Sequence, residues 1–452
     1  MEPITTYEVK SGGQVTATSP ISAPSSRKKA RTSVAYGALL LFSILYFTRP
    51  EDFVPFLGFI PVGKIAGGVA LFALLLSWNK LRVKLPVEIK VLLLLFVDLC
   101  ITIPFAYWRG GAFQTVINGF SKAVIVALLI SVIVGTMTEL KRLLFIQAAS
   151  LAAMTAASLV LHPGGTIRLT GALGGVFSNP NDLAINIAIT VPIGLAFFFV
   201  ARRGHRQALW LLAILIMLYG VIATRSRSGF LALAASLAIC FWEFGVRGRR
   251  IQVLAGGFLL FLFVAGVALA TPNYMDRLRS IFQDDVQGAE DHGSRDAREE
   301  LLRRSVDLTI RNPMFGVGPG NFPAVTQTWR VAHNTYTELS AEAGIPALVI
   351  FLLFLGLAFR NLHRMRKSPG YKANPEIRLF TGALWAALIA YVVGAAFADT
   401  EYELFPYFLA AYTTALYRIS VAYQSVPAQP SISTVVERGY GNGERRDMAW
   451  SR

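Results

Sequence analysis

Arginines placed against the topological trend are the first residues in this chain equipped to do chemistry. Arg168, then Arg225 and Arg227 in Thr224-Arg225-Ser226-Arg227-Ser228-Gly229, then a run from Arg277 to Arg330 fall on connections between apolar segments where basic residues are otherwise scarce. A guanidinium beside hydrocarbon is costly unless it pairs or binds something. It grips phosphate oxygens in a bidentate manner that an ammonium does not match. His333 follows in Ala332-His333-Asn334-Thr335-Tyr336, with Glu338 and Glu342 behind it. An imidazole is the side chain best suited to move a proton near neutral pH. A Ser/Cys–His triad, a His-rich metal spacing and a Walker loop are all missing from the sequence, so neither a metal nor a cofactor is expected. The machinery suits a leaving group that is already activated and anionic. A sugar joined to a diphosphate fits: arginines neutralise charge building on the departing diphosphate, while a base prepares an acceptor hydroxyl.

Each of these residues also has an ordinary structural reading. Arg168 precedes Asn179-Pro180-Asn181-Asp182, a run that can cap a helix start. Free N–H groups there also favour anions. Arg225 and Arg227 can snorkel toward lipid headgroups, although snorkelling does not require the flanking small hydroxylic residues. Arg295, Arg298, Arg303 and Arg304 lie among Asp296, Glu299 and Glu300 at helical spacing, which permits salt bridges. A lone histidine is more often structural than functional. Asp399, Glu401 and Glu403 form a further polar group, open to pairing with the arginines.

The elements that must position these residues are membrane spans. Of 452 residues, 54% are hydrophobic and 15% charged, and mean hydropathy is +0.51. Soluble chains carry roughly 25% charged residues. Apolar runs of membrane length predict about twelve helices, at 33–48, 60–78, 87–105, 114–136, 140–161, 181–201, 207–224, 228–245, 251–271, 335–359, 379–398 and 404–422. Lys80, Arg82, Lys141, Arg142, Arg202, Arg203, Arg247, Arg249, Arg364 and Arg366 then share one face, which the positive-inside bias makes cytoplasmic. The net charge of +16 is spread beside apolar runs, which argues against nucleic-acid binding.

The expected organisation is a disordered cytoplasmic tail at 1–32, nine spans in 33–271, a long outward loop at 272–334, three spans in 335–422 and a second tail at 423–452. The loop is too long for a plain connector. Ala297, Leu301, Leu302, Val306 and Ile310 recur in it at helical spacing, and Pro313 ends the pattern. This predicts an amphipathic helix that either lies on the outer membrane boundary or roofs a cavity. Gly316-Val317-Gly318-Pro319-Gly320 is not a dinucleotide fingerprint, because no strand–turn–helix unit surrounds it. A turn-rich segment is expected there.

Several of these strings resemble a known family. Phe177-Ser178-Asn179-Pro180-Asn181, the Ser226-Arg227-Ser228-Gly229 turn, Gly316-Val317-Gly318 and Ala332-His333-Asn334-Thr335-Tyr336 with a following Glu and Gly344 stand in the order typical of O-antigen ligases and their polymerase and O-oligosaccharyltransferase relatives. The resemblance covers about residues 33–422. It implies an all-α polytopic membrane protein of GT-C-like architecture in the bacterial inner membrane, working at the periplasmic face without metal or cofactor. It implies a donor glycan on undecaprenyl diphosphate and an acceptor that is lipid A–core in ligases or another lipid-linked glycan in polymerases. Membrane lipids surround it, and nucleic acid is no partner. Carried over by motif, Arg227 and His333 are the expected catalytic residues. Arg225 and Arg168 join them by proximity, with Arg295, Arg298, Arg303 and Arg304 as candidates for the loop arginine. An anion transporter is the alternative from another class, opposed by the concentration of polar residues on one face.

Overall fold

A computed structural model describes residues 7–9, 15–17, 26–48, 62–81, 84–161, 168–170, 179–251, 256–257, 289–328 and 330–423. The described residues are helical almost throughout. A short hairpin pairs β1 (Tyr7–Val9) with β2 (Val15–Ala17), and helix α1 (Ser26–Thr48) starts inside the 1–32 segment expected as a disordered tail. There follow α2 (Val62–Leu81), α3 (Val87–Thr102), α4 (Arg109–Ile133, with a π-helical stretch at Gln114–Phe120), α5 (Met137–Leu161), α6 (Pro180–Val200), α7 (Gly204–Thr224) and α8 (Arg227–Val246). Then come α9 (Ala289–Arg311), α10 (Thr335–Met365), α11 (Pro375–Ala395) and α12 (Phe405–Ala422).

Seven of the described helices are long and apolar enough to cross a membrane: α4 to α8, α10 and α11. Shorter apolar helices occupy Val34–Thr48 and Ile65–Leu76. Most of the span expected at 251–271 lies outside the described residues, as do most of the N-terminal segment and the tail beyond residue 423.

Local sequence explains why the helices begin and end where they do. Asn179 caps α6, its side chain accepting from the Asn181 N–H at 2.9 Å, with Pro180 in the first turn. Ser226 caps α8 by accepting from the Gly229 N–H at 3.1 Å. Asn334 caps α10 through the N–H groups of Tyr336 and Thr337, and Asn374 caps α11 through Glu376. Helices α6 and α11 are the centre of the bundle, with 72% of their apolar windows enclosed, against 28% for α7. Helix α6 packs on α7, α8 and α11, and α10 packs on α3, α9 and α12.

The amphipathic stripe expected on the loop helix divides in two. On α9, Leu301 and Leu308 join Phe322, Ala332 and Ala341 in a small separate core, and Ser305 is enclosed with them. Leu302, Val306 and Ile310 stand on the other side, exposed. The helix therefore roofs α10 with one strip and turns an apolar strip outward with the other. The physical reason is that residues one apart on a helix point about 100° apart, so Leu301 and Leu302 cannot share one face.

Ion pairs account for much of the basic charge at the end of the bundle opposite His333. Glu243 meets Arg366 at 2.5 Å and Arg247 at 3.4 Å, Arg360 meets Glu88 at 3.3 Å, and Lys141 meets Glu376 at 2.7 Å. Arg366 also lies over Trp385, and Arg250 over Phe199.

Candidate active site

The starts of α6, α8 and α10 converge at one end of the bundle. Their dipoles point their positive ends there, which makes that end favourable to anions. Asn181, in the first turn of α6, ties this end together. Its Oδ1 accepts from Arg168 Nη2 at 3.0 Å and from Ser226 Oγ at 2.7 Å. Arg168 Nε also donates to the Thr224 carbonyl at 3.0 Å, and Leu169 N donates to the Ala223 carbonyl at 3.1 Å. Ser226 Oγ lies 3.0 Å from Ser228 Oγ. The strand of chain carrying Arg168, the start of α6 and the α7–α8 turn thus form one hydrogen-bonded unit. Gly171, Gly174, Gly175, Phe177 and Ser178 lie outside the described residues.

The α7–α8 turn presents its two arginines differently. Arg225 ends α7 in the left-handed region, at φ 51° and ψ 30°, and is exposed. Arg227 opens α8 and is half-buried. Gly229 allows α8 to approach α6 closely: a Cβ there would meet Ala184 Cβ at 2.1 Å. That glycine fixes the height of Arg227 over the start of α6.

The loop arginines separate into distinct settings. Arg303 pairs with Glu299 at 2.7 Å on an exposed face. Arg304 pairs with Glu300 at 2.8 Å and donates to the Thr326 carbonyl at 3.1 Å. Arg298 instead lies within electrostatic range of Arg168. Burial, with the Arg298 charge added, lowers the proton affinity of Arg168 from its ordinary value. The side chain of Arg295 lies outside the described residues.

His333 immediately precedes the cap of α10 and also adopts the left-handed region, at φ 54°. Arg225 and His333 are two of four non-glycine residues so placed among the described residues. Such conformations cost on the order of 1–3 kcal/mol and gather at functional sites. The His333 backbone is held from below: Thr335 N and Oγ1 both donate to the Ala398 carbonyl, at 2.8 and 2.7 Å, and Thr335 Oγ1 accepts from Thr400 N at 2.9 Å. This brings Asp399 opposite the imidazole, with Oδ1 3.6 Å from His333 Nδ1. Both atoms are buried and make no hydrogen bond. Catalytic hydrogen bonds are commonly long before substrate binds and tighten afterwards.

The segment between α11 and α12 also links the histidine to the arginine cluster. The Asp182 carboxyl, next to Asn181, lies within electrostatic range of Asp399 and Glu403. Sequence reasoning placed Asp399, Glu401 and Glu403 together and left them open to pairing with arginines. Asp399 faces His333, and Glu401 lines a cavity of about 200 Å³ with Glu338, Glu342, Tyr402 and Glu403. The sequence signal for this arrangement was slight: three carboxylates at every second position in a short connection.

Glu342 serves the scaffold. Its carboxylate accepts from Gly320 N at 2.6 Å, Phe322 N at 2.8 Å and Tyr402 OH at 2.9 Å. These bonds fasten the turn-rich Gly316–Gly320 segment onto α10, where Gly344 kinks the helix at φ 85°. The expected turn role of those glycines holds.

Residues 212–352 match the family model described as O-antigen ligase. The matched stretch holds Arg225, Arg227, Arg298 and His333. Arg168, Asn181 and Asp399 lie outside it. The teichuronic acid biosynthesis protein TuaE of Bacillus subtilis (strain 168) is a relative 26% identical over 245 residues, covering 51% of this chain and 48% of that protein. The chain thus spans about half the length of the curated relative it matches.

Proposed function

We propose that this protein is a membrane glycosyltransferase that moves a glycan from undecaprenyl diphosphate to an acceptor hydroxyl. The carrying observation is that Asp399, which faces His333, lies within electrostatic range of Asp182, beside the Asn181 that joins Arg168 to the Ser226 turn before Arg227. In the reaction His333 takes the proton of the acceptor hydroxyl. The acceptor oxygen attacks the anomeric carbon of the donor sugar. The bond from that carbon to the diphosphate breaks, and its electron pair leaves with the carrier. Arg227, with Arg168 and Arg298, stabilises the charge that develops there. Asp399 orients the imidazole and stabilises it once protonated. No step needs a metal or cofactor. The basic opposite end faces the cytoplasm in this reading, so transfer takes place at the periplasmic face of the inner membrane.

Transfer to lipid A–core is the ligase form of the reaction. Polymerisation of an exported polysaccharide is a second form, with the same chemistry and a lipid-linked glycan as acceptor. His333→Ala and Arg227→Ala test both. Each should lower transfer by about 10²-fold or more and leave lipid-linked glycan accumulating in well-expressed cells. In a ligase the accumulated glycans are long; in a polymerase they are single repeats. Normal transfer by both variants refutes the reading. Saturable anion flux in proteoliposomes that Arg227→Ala abolishes would make the protein a transporter.

A further inference from the structure

The two halves of the site differ in sign. The Arg168 and Arg227 side is cationic, whereas five carboxylates line the cavity beside His333: Glu338, Glu342, Asp399, Glu401 and Glu403. Among the described residues lining it, none is Lys or Arg. The carboxylates are not equivalent. Glu342 is fully engaged by Gly320, Phe322 and Tyr402, and Glu338 Oε2 accepts from Ala332 N at 2.9 Å. Glu401 is 3% exposed, and its Oε2 is buried with no hydrogen-bond partner. A buried polar atom in a cavity wall without a partner is suited to a ligand that supplies one.

We propose that this cavity is the acceptor subsite, and that it selects an unphosphorylated sugar residue, neutral or bearing an amine. This rests on the glycan-transfer reading above. A sugar hydroxyl or ammonium donates to Glu401 Oε2, and Tyr402 supplies an aromatic ring against whose face a sugar's C–H groups pack. Asp399 forms part of the same wall, so a hydroxyl held in the cavity lies beside His333. A phosphorylated sugar would find acidic groups and, among the described lining residues, no Lys or Arg to pair with its phosphate, so it is excluded. The lack of a counter-cation likewise leaves the donor's diphosphate to the arginine side, so each substrate has one place to bind. Burial and the nearby Glu342 and Asp399 charges raise the proton affinity of the Glu401 carboxyl, which gives it a donor as well as an acceptor role toward a polyol.

Ligand-observed NMR on the full chain in lipid nanodiscs tests this. The acceptor-side probes are methyl β-glucoside, methyl β-glucosaminide and methyl glucoside 6-phosphate; farnesyl diphosphate is the carrier-side probe. The first two should bind, and the 6-phosphate should bind about tenfold more weakly or worse. Glu401→Leu should weaken the neutral glycoside by about tenfold and leave farnesyl diphosphate unchanged. Glu403→Lys reverses one charge at the wall and should narrow the gap between neutral and phosphorylated probes, whatever the folding of the Glu401 variant. Equal binding of the 6-phosphate, no glycoside binding, or wild-type affinity in Glu401→Leu overturns the proposal. Farnesyl diphosphate binding that ignores Arg227→Ala counts instead against the transfer reading and leaves the cavity result to stand by itself.

Discussion

Gly229→Ala offers a sharp test of whether the α6–α8 contact sets the reacting geometry. An added Cβ would lie 2.1 Å from Ala184 Cβ. Non-bonded carbons settle at about 3.5–4.0 Å, so the helices must part by roughly 1.5 Å or tilt by an equivalent amount. Ala184 sits on the central helix, enclosed on all sides, so α8 is the element that gives. Arg227 lies two residues before Gly229 in the first turn of α8 and moves with it. Overpacking of this kind costs about 1–3 kcal/mol of stability. A displacement near 1 Å at a positioned group costs about 10²-fold in rate. Glycan transfer measured in membranes, beside thermal unfolding in detergent, should therefore show a rate loss far larger than the stability loss explains. Ala184→Gly on the Gly229→Ala background removes the clash, leaving Ala184 Cα and Ser226 Oγ as the nearest atoms at 3.3 Å. That double variant should regain at least about tenfold of the lost rate. Wild-type transfer in Gly229→Ala, or no recovery in the double variant, refutes the claim that this approach positions Arg227.

Three further outcomes are expected. Arg298→Ala should raise the KM for lipid-linked donor by about tenfold, whereas Arg303→Ala removes an exposed i, i+4 pair and should cost no more than about 0.5 kcal/mol; donor titration of purified variants compares them. Asp399→Asn should lower kcat by on the order of tenfold to a hundredfold with donor KM unchanged, because the imidazole loses the carboxylate that orients it, and steady-state kinetics on purified variants reads both constants. Burial raises the Glu401 carboxyl above its ordinary value of 4.5, so the folded state holds that proton more tightly than the unfolded chain does. The associated stability is complete below pH 4.5 and is lost as pH rises through the folded-state value; Glu401→Gln should flatten that decline in a thermal-unfolding series across pH.

Much of the architecture was legible because membrane spans are written in composition. Backbone groups in lipid must be satisfied within each helix, so runs of about 20 apolar residues announce themselves. The helices at Pro180–Val200, Gly204–Thr224, Arg227–Val246 and Thr335–Met365 begin within a few residues of the expected positions. The cap at Asn179-Pro180 was legible too, as it carries local chemistry that needs no partner from elsewhere, whereas Ser226 and Asn334 emerged as caps only in the structure. His333 and the arginines stood out because cations at such places demand a reason. The two-sided nature of α9 was harder to read, since periodicity shows that a helix has apolar faces but not which partner covers each.

Tertiary structure decided the pairings. Only packing brings Asn181 between Arg168 and Ser226, 13 and 45 residues away in sequence. Only the contact of Thr335 with Ala398 and Thr400 sets Asp399 against His333. The same packing brings Arg298 within electrostatic range of Arg168, while Arg303 and Arg304 meet carboxylates one turn away on their own helix. Residue type and local spacing determine what a segment can become and what chemistry it can offer. Which groups meet depends on contacts between segments far apart in the chain, and those form when α6, α8, α10 and the α11–α12 connection close on one another.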